Sequence, residues 1–319
     1  MTQVSTAAQR WCLVNNMENI YEGLLGLSSG ITVKKDEPMK DHSTFKVGGP
    51  ADFFVTVSSP ADLTKVLSFA KTNDIPLLVL GNGSNILVKD KGIRGIVVSM
   101  VGAGTFADMC VHENVIKAGA GVMLAALANK AAEAGLSGLE FAGGIPGSLG
   151  GGVYMNAGAY GGALSDVIKT ITVVSPEGEI KTLDAADCHM EYRDTRFMKT
   201  GEIICSAGFE LAAGNTDEIR ARMKELNEQR RAKQPLEYPS AGSTFKRPVG
   251  YFAGKLIEDA GLKGFSVGGA QVSEKHAGFV INKGGATASD ILELISSVQD
   301  KVFAEFGVHL EPEVRILGE

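Results

Sequence analysis

Two stretches of this chain are made almost entirely of backbone and small side chains, and both could hold an anionic or flat ligand. The first, Gly81-Asn82-Gly83-Ser84-Asn85-Ile86, follows directly on a short apolar run, Pro76 to Leu80. Glycine reaches positive φ without steric cost, so successive N–H groups can converge on an anion. Asn82, Ser84 and Asn85 add hydrogen-bonding side chains; a plain tight turn is the equal alternative. The run is not a GxGxxG fingerprint, because Ile86 stands where the third glycine belongs, and the chain has no GxxxxGK. A Rossmann or P-loop nucleotide site is therefore disfavoured. The second stretch runs from Ala142 to Gly161, and nine of the twenty residues from Gly143 to Gly162 are glycine. That density is too high for a stable helix or an ordinary strand. Its interleaved Ile145, Leu149, Val153, Tyr154 and Met155 do not suit a solvated linker. A buried main-chain platform fits better.

Three polar residues have both an ordinary and a chemical reading. Ser243, in Ser240-Ala241-Gly242-Ser243-Thr244-Phe245-Lys246-Arg247-Pro248, reads by itself as a turn or N-cap serine. Arg193, in Glu191-Tyr192-Arg193-Asp194, reads as a surface arginine paired with a neighbouring acid, and Glu313 as an exposed strand-end acid. From Arg220 to Lys263 ten Lys or Arg face five Asp or Glu. This surplus is a solvated helix face or a patch for an acidic small molecule, with Lys246, Arg247 and Lys255 nearest the Ser243 loop.

The elements that must position these groups alternate. Strands are expected at Ala51 to Val57 and Pro76 to Leu80, with a helix from Pro60 to Thr72 between them. Further strands are expected at Ile96 to Ser99, Val115 to Ala118 and Ile168 to Val174, the last joined by a Pro-Glu-Gly turn to Ile180 to Leu183. Helices are expected at Met123 to Ala134, Thr216 to Lys233, Tyr251 to Ala260 and Ser289 to Phe306. Asn16 to Leu25 reads as helical within an N-terminal segment. His309 to Leu317 reads as a closing apolar-alternating stretch.

Composition narrows the classes. At 319 residues, two or three packed domains are the prior. Net charge is −6, which argues against a general nucleic-acid binder. Glycine, at 40 residues, is well above the usual share of roughly 7%. Cys12, Cys110, Cys188 and Cys205 form no CxxC, and the five histidines form no HExxH, so neither disulfide nor metal chemistry is expected. No apolar run approaches the ~20 residues that cross a bilayer, and the start lacks a signal-peptide plan. A cytoplasmic protein with no membrane or nucleic-acid partner is expected.

With its two glycine-rich runs, the chain resembles the vanillyl-alcohol oxidase and para-cresol methylhydroxylase (VAO/PCMH) flavoprotein superfamily. More closely it is similar to the UDP-N-acetylenolpyruvoylglucosamine reductase family, MurB. The likeness covers about His42 to Glu319 and rests on six stretches in order: His42 to Gly49, Gly81 to Asn85, Ile145 to Gly161, Tyr192-Arg193-Asp194, Ala241 to Lys246, and Leu310 to Val314. It implies an α+β, PCMH/VAO-type FAD-binding fold of two α/β subdomains, residues 31–98 and 99–211, preceded by an N-terminal segment, 1–30. A C-terminal α/β substrate-binding domain, 212–319, would return its last residues to the active site.

The resemblance implies that FAD is held by Gly81, Asn82, Gly83, Ser84, Asn85 and Ile86, and by Ile145, Pro146, Gly147, Gly151, Gly152, Met155, Asn156, Gly158 and Ala159. Attachment would be non-covalent, since residues 75–95 hold no His or Cys and Cys110 and His112 lie beyond the loop. NADPH would reduce the flavin. The reduced flavin would then reduce the enolpyruvyl ether of a UDP-sugar, giving UDP-N-acetylmuramate for peptidoglycan. By the same resemblance Ser243 gives the proton, Arg193 grips the substrate carboxylate, and Glu313 bonds its enolic form. Lys246, Arg247 and Lys255 are the candidates for the UDP diphosphate, and Lys246 or Arg247 for supporting the serine alkoxide. Arg193 and Ser243 are only 50 positions apart (243 − 193), leaving no room for the tyrosine-bearing insert of the family's longer members, so the shorter type II subclass is expected. The competing readings are an FAD-dependent sugar or hydroxy-acid oxidase and a non-catalytic nucleotide-sugar-binding protein. The expected state is a monomer or weak dimer.

Overall fold

A computed structural model describes the backbone of residues 7–319 and side chains from residue 16 onward. The chain is α+β. Its first sheet has the strand order Ile31–Pro38, Pro50–Val57, Ile93–Ser99, Leu77–Leu80. The first pair is antiparallel and the other two are parallel. The helix Pro60–Thr72 makes the crossover; Ser59 caps it by accepting from Asp62 N–H, with Pro60 opening its first turn. Leu63, Val66 and Ala70 line the face it buries against the sheet.

The second sheet is antiparallel, in the order Ile180–Asp184, Ile168–Val174, Ile203–Glu210, Val115–Gly119, Met109–His112. Its central strand, Ile203–Glu210, was not foreseen. Cys205, Ser206, Ala207 and Gly208 interrupt its apolar pattern, and strand partners on both sides supply the stability that propensity does not. The two sheets share one buried core, which the helix Thr216–Lys233 joins through Ile219 and Met223. This helix, grouped by sequence with the C-terminal unit, thus packs on the middle of the chain.

The C-terminal part is a three-stranded antiparallel sheet, Ser266–Val267, Ala270–Val272 and Val280–Asn282, covered by the helices Ala253–Asp259 and Ala288–Phe306. Thr287 and Asp290 close a capping box on the latter. Asp90, from the first unit, reaches the same helix end and accepts from the N–H groups of Ala288 (2.8 Å) and Ser289 (2.9 Å). The last strand, Arg315–Leu317, runs back to pair in parallel with Ile86–Val88, beside the first glycine loop. No described helix is long and apolar enough to cross a membrane.

One expectation fails. The second glycine run contains a helix, Leu149–Tyr154. Tertiary contact replaces the missing propensity: Gly150 N–H donates to Ala120 O (2.8 Å), and a Cβ on Gly150 would stand 3.0 Å from the Ala120 methyl. Glycine lets this helix lie directly on the second sheet.

Candidate active site

All three parts meet at a cleft of about 1250 Å³. One wall is main chain. Gly81, Asn82, Gly83, Ser84, Asn85 and Ile86 line it, together with Ile145, Pro146, Gly147, Gly151, Gly152, Met155, Gly158 and Ala159. The His42–Gly49 stretch backs the first loop: Thr44 N–H donates to Gly83 O (3.1 Å). Gly83 has φ +64°, and a Cβ there would lie 1.9 Å from His42 O, so only glycine fits. Asn82 Nδ2 donates to Pro146 O (2.7 Å), tying the two loops together.

Among the described residues, the N–H groups of Asn82, Gly83, Ser84, Asn85, Gly147, Ser148 and Gly151 donate to no protein acceptor. Main-chain donors are ordinarily paired, and a run of free ones along a cleft is a ready anion site. Among the described residues, the buried side-chain atoms without a partner are Ser148 Oγ and Gln234 Oε1, and both residues line this cleft. Unpaired donors, glycine-only geometry and a volume beyond that of one small ligand all fit a dinucleotide cofactor with room for a second molecule.

Asn156 is buried in the scaffold, outside the cleft lining. It adopts φ +42°, which asparagine tolerates better than most residues. Its amide donates to Ser165 Oγ (3.1 Å), Met190 O (3.3 Å) and Glu191 O (3.2 Å), and accepts from Ser165 N–H (3.0 Å). Its carbonyl takes a bond from Arg193 Nη1 (3.4 Å). Asn156 therefore fixes the Arg193 turn.

A second set of groups in the cleft is built from side chains. Arg193, held at φ +55° in a tight turn, donates from Nε to Glu313 Oε1 at 2.6 Å, and both groups are mostly buried. Its neighbour Asp194 pairs instead with Lys199 (2.8 Å). A bulky residue in the left-handed region costs about 1–3 kcal/mol, strain that concentrates at functional sites. Glu313 is set by its backbone: its N–H donates to Thr244 O (2.8 Å), and its carbonyl accepts from Asn85 Nδ2 (3.2 Å). Thr244 is the residue after Ser243, and its hydroxyl accepts from Val280 N–H (3.0 Å). Ser243 faces the cleft with no side-chain partner in the protein among the described residues.

The expected cations are redistributed. Lys246 is absent from the cleft lining and pairs with Glu311, because the Phe245–Pro312 bridge sets the two side by side. Lys255 lines the cleft but pairs with Asp259. Arg247 lines it with its guanidinium 3.9 Å above the Phe252 ring and no carboxylate partner among the described residues. Sequence reasoning passed over Arg230 and Lys233, which the C-terminal end of helix Thr216–Lys233 delivers to the cleft. Neither has an ion-pair partner among the described residues, and burial lowers the pKa of Arg230. Their signal was present: both occupy the last turn before Pro235, where basic side chains also suit the helix dipole. His276 lines the cleft too; burial lowers its pKa, and its Nδ1 accepts from Gly278 N–H (3.1 Å).

A profile of the UDP-N-acetylenolpyruvoylglucosamine reductase C-terminal domain matches residues 234–317, and one of an FAD binding domain matches residues 51–184. The chain is 54% identical over 295 residues to the UDP-N-acetylenolpyruvoylglucosamine reductase of Agathobacter rectalis, covering 89% of this chain and 94% of that one. The enzyme of the same name from Clostridioides difficile is 49% identical over 304 residues, 95% and 99% of the two chains. The crystal structure of the Thermus caldophilus enzyme superposes with a TM-score of 0.78 at 36% identity, over 90% of this chain and all of that one.

Proposed function

Because the chain belongs to the UDP-N-acetylenolpyruvoylglucosamine reductase family, we propose that it uses NADPH and FAD to reduce enolpyruvyl-UDP-N-acetylglucosamine to UDP-N-acetylmuramate, in peptidoglycan precursor synthesis. The observation that carries the reading is the Arg193–Glu313 pair, joined through Thr244 to Ser243 and set in the same cleft as a run of unpaired main-chain donors. FAD would be held there without a covalent bond, and the free N–H groups of Asn82 to Asn85 would serve its diphosphate. When bound, FAD supplies the hydride, taken from NADPH.

The side-chain wall manages charge and the proton. Hydride arriving at the terminal vinyl carbon leaves negative charge on the neighbouring carbon and its carboxylate. Arg193 has Nε engaged by Glu313 and one Nη1 hydrogen by Asn156 O, so Nη2 and the other Nη1 hydrogen are left to grip that carboxylate. Glu313 shares the same carboxylate as it becomes enolic, and its bond to Arg193 fixes its direction. Ser243 Oγ releases its proton to the carbon bearing the ether oxygen. Arg247, rather than Lys246, is the cation that steadies the resulting alkoxide, because Lys246 is claimed by Glu311. Arg230 and Lys233 face the UDP diphosphate, with Arg247 nearer the reacting end. The protein works in the cytoplasm as a monomer or weak dimer.

NADPH consumption measured with and without the enolpyruvyl sugar tests the reading. Consumption that depends on the sugar, with two hydrogens gained in the product, is expected. Consumption driven by dioxygen alone would make the protein an oxidase.

A further inference from the structure

We propose that Ser148 is a positioning residue for the FAD diphosphate, its hydroxyl donating to an anionic phosphate oxygen; the assignment rests on the cofactor reading above. Ser148 is 1% exposed, and its Oγ has no hydrogen-bond partner in the protein. A buried hydroxyl without a partner is disfavoured, and such atoms are few in folded proteins.

Its place in the chain sharpens the point. Ser148 occupies the N-cap position of the helix Leu149–Tyr154, where a serine ordinarily accepts from an N–H of the first turn. Here the side chain makes no cap bond. It turns instead into the space between the two glycine loops. A Cβ on Gly81 would stand 2.6 Å from Ser148 Oγ, and one on Gly151 3.6 Å. Glycine at position 81 is what leaves the hydroxyl room.

Unpaired donors lie in both loops beside it. Gly151 N–H and the N–H groups of Asn82 to Asn85 lack protein acceptors, as does Ser148 N–H. No carboxylate lies among them in either loop. Donors left without an acceptor along one cleft suit an oxygen carrying negative charge, and within FAD that is the diphosphate.

The test uses apoprotein of the wild type, Ser148→Ala and Ser148→Cys, titrated with FAD and melted with and without it. Ser148→Ala should weaken FAD binding about tenfold, the scale of one lost hydrogen bond to a charged group. Ser148→Cys, with a feebler donor, should fall between. The apoprotein of Ser148→Ala should melt no lower than wild type, because nothing in the folded protein bonds to the hydroxyl, while the rise in melting temperature on adding FAD shrinks. At saturating FAD the bound flavin's reduction potential should stay that of wild type, since a phosphate contact lies away from the ring. Unchanged FAD affinity, a lower apoprotein melting temperature with intact affinity, or a shifted potential would each overturn the assignment. A wild-type apoprotein that takes up no FAD would remove the cofactor reading itself, and Ser148's role with it.

Discussion

The two walls of the cleft are built on opposite plans. The glycine-loop wall offers backbone N–H groups without acceptors and tolerates no Cβ at its tightest point, Gly83. The side-chain wall offers groups that already bond one another, Arg193 to Glu313, with Glu313 tied by its main chain to Thr244 and to Asn85 of the first loop. Main-chain donors are fixed by the fold and suit a resident, invariant ligand. Side chains can change charge and give up a proton, which a reaction requires. Damage to the first wall should therefore appear as lost cofactor or lost fold, and damage to the second as lost turnover in a protein that still holds FAD.

The harshest break expected is Gly83→Ala. Its methyl meets His42 O at 1.9 Å, and the left-handed φ is strained for alanine. A loss of about 3 kcal/mol or more in apoprotein stability is expected from that clash and strain, together with loss of bound flavin. Thermal melting and the visible spectrum report both; a yellow, wild-type-stable variant would refute the first half of the contrast.

Arg193→Lys probes the other wall. A lysine keeps the charge but loses the fork that bonds Glu313 and a carboxylate together. About a hundredfold fall in kcat/KM for the enolpyruvyl sugar is expected, about 2.7 kcal/mol, with FAD content and reduction by NADPH unchanged. Reduced FAD content in this variant would blur the division between the walls.

The smallest effect concerns the tie between the units that carry the walls. Asp90 feels burial, which pushes its pKa up, but the Ser289 hydroxyl and the N–H groups of Ala288 and Ser289 outweigh it and hold the carboxyl below its ordinary value. A pKa depressed on folding stabilises above the unfolded pKa of about 3.9 and is lost as pH falls through the folded value. Asp90 is exposed and its charge is screened by solvent, so Asp90→Asn should cost no more than about 0.5 kcal/mol at neutral pH. It should also flatten the fall in stability below about pH 4. Denaturant melts at pH 7 and pH 3 check both, and equal losses at the two pH values would exclude the charged cap.

Much of this was legible from residue types. Apolar spacing places the helices Thr216–Lys233 and Ala288–Phe306 to within a residue or so, because that period is local chemistry. The second glycine run stood out because its apolar residues do not suit a solvated linker, whereas the first read equally well as a tight turn. The strand Ile203–Glu210 was hidden by its small and polar residues, since only its position between two partners makes it a strand. The helix Leu149–Tyr154 was hidden because glycine's poor propensity is overridden by packing on Ala120. Lys246 misled for the opposite reason: closeness to Ser243 in sequence does not show that Glu311 claims its ammonium, whereas Lys255 does line the cleft while pairing with Asp259. Arg230 and Lys233 reach the cleft from a helix that sequence alone did not orient.

The division of labour between the walls is tested most directly by the two half-reactions of Ser243→Ala, followed separately by rapid mixing without oxygen. Reduction of the bound flavin by NADPH should proceed at close to the wild-type rate, while its reoxidation by the enolpyruvyl sugar slows at least about a hundredfold, the scale of a lost general acid. Equal slowing of both halves, or reoxidation as fast as wild type, would contradict the account.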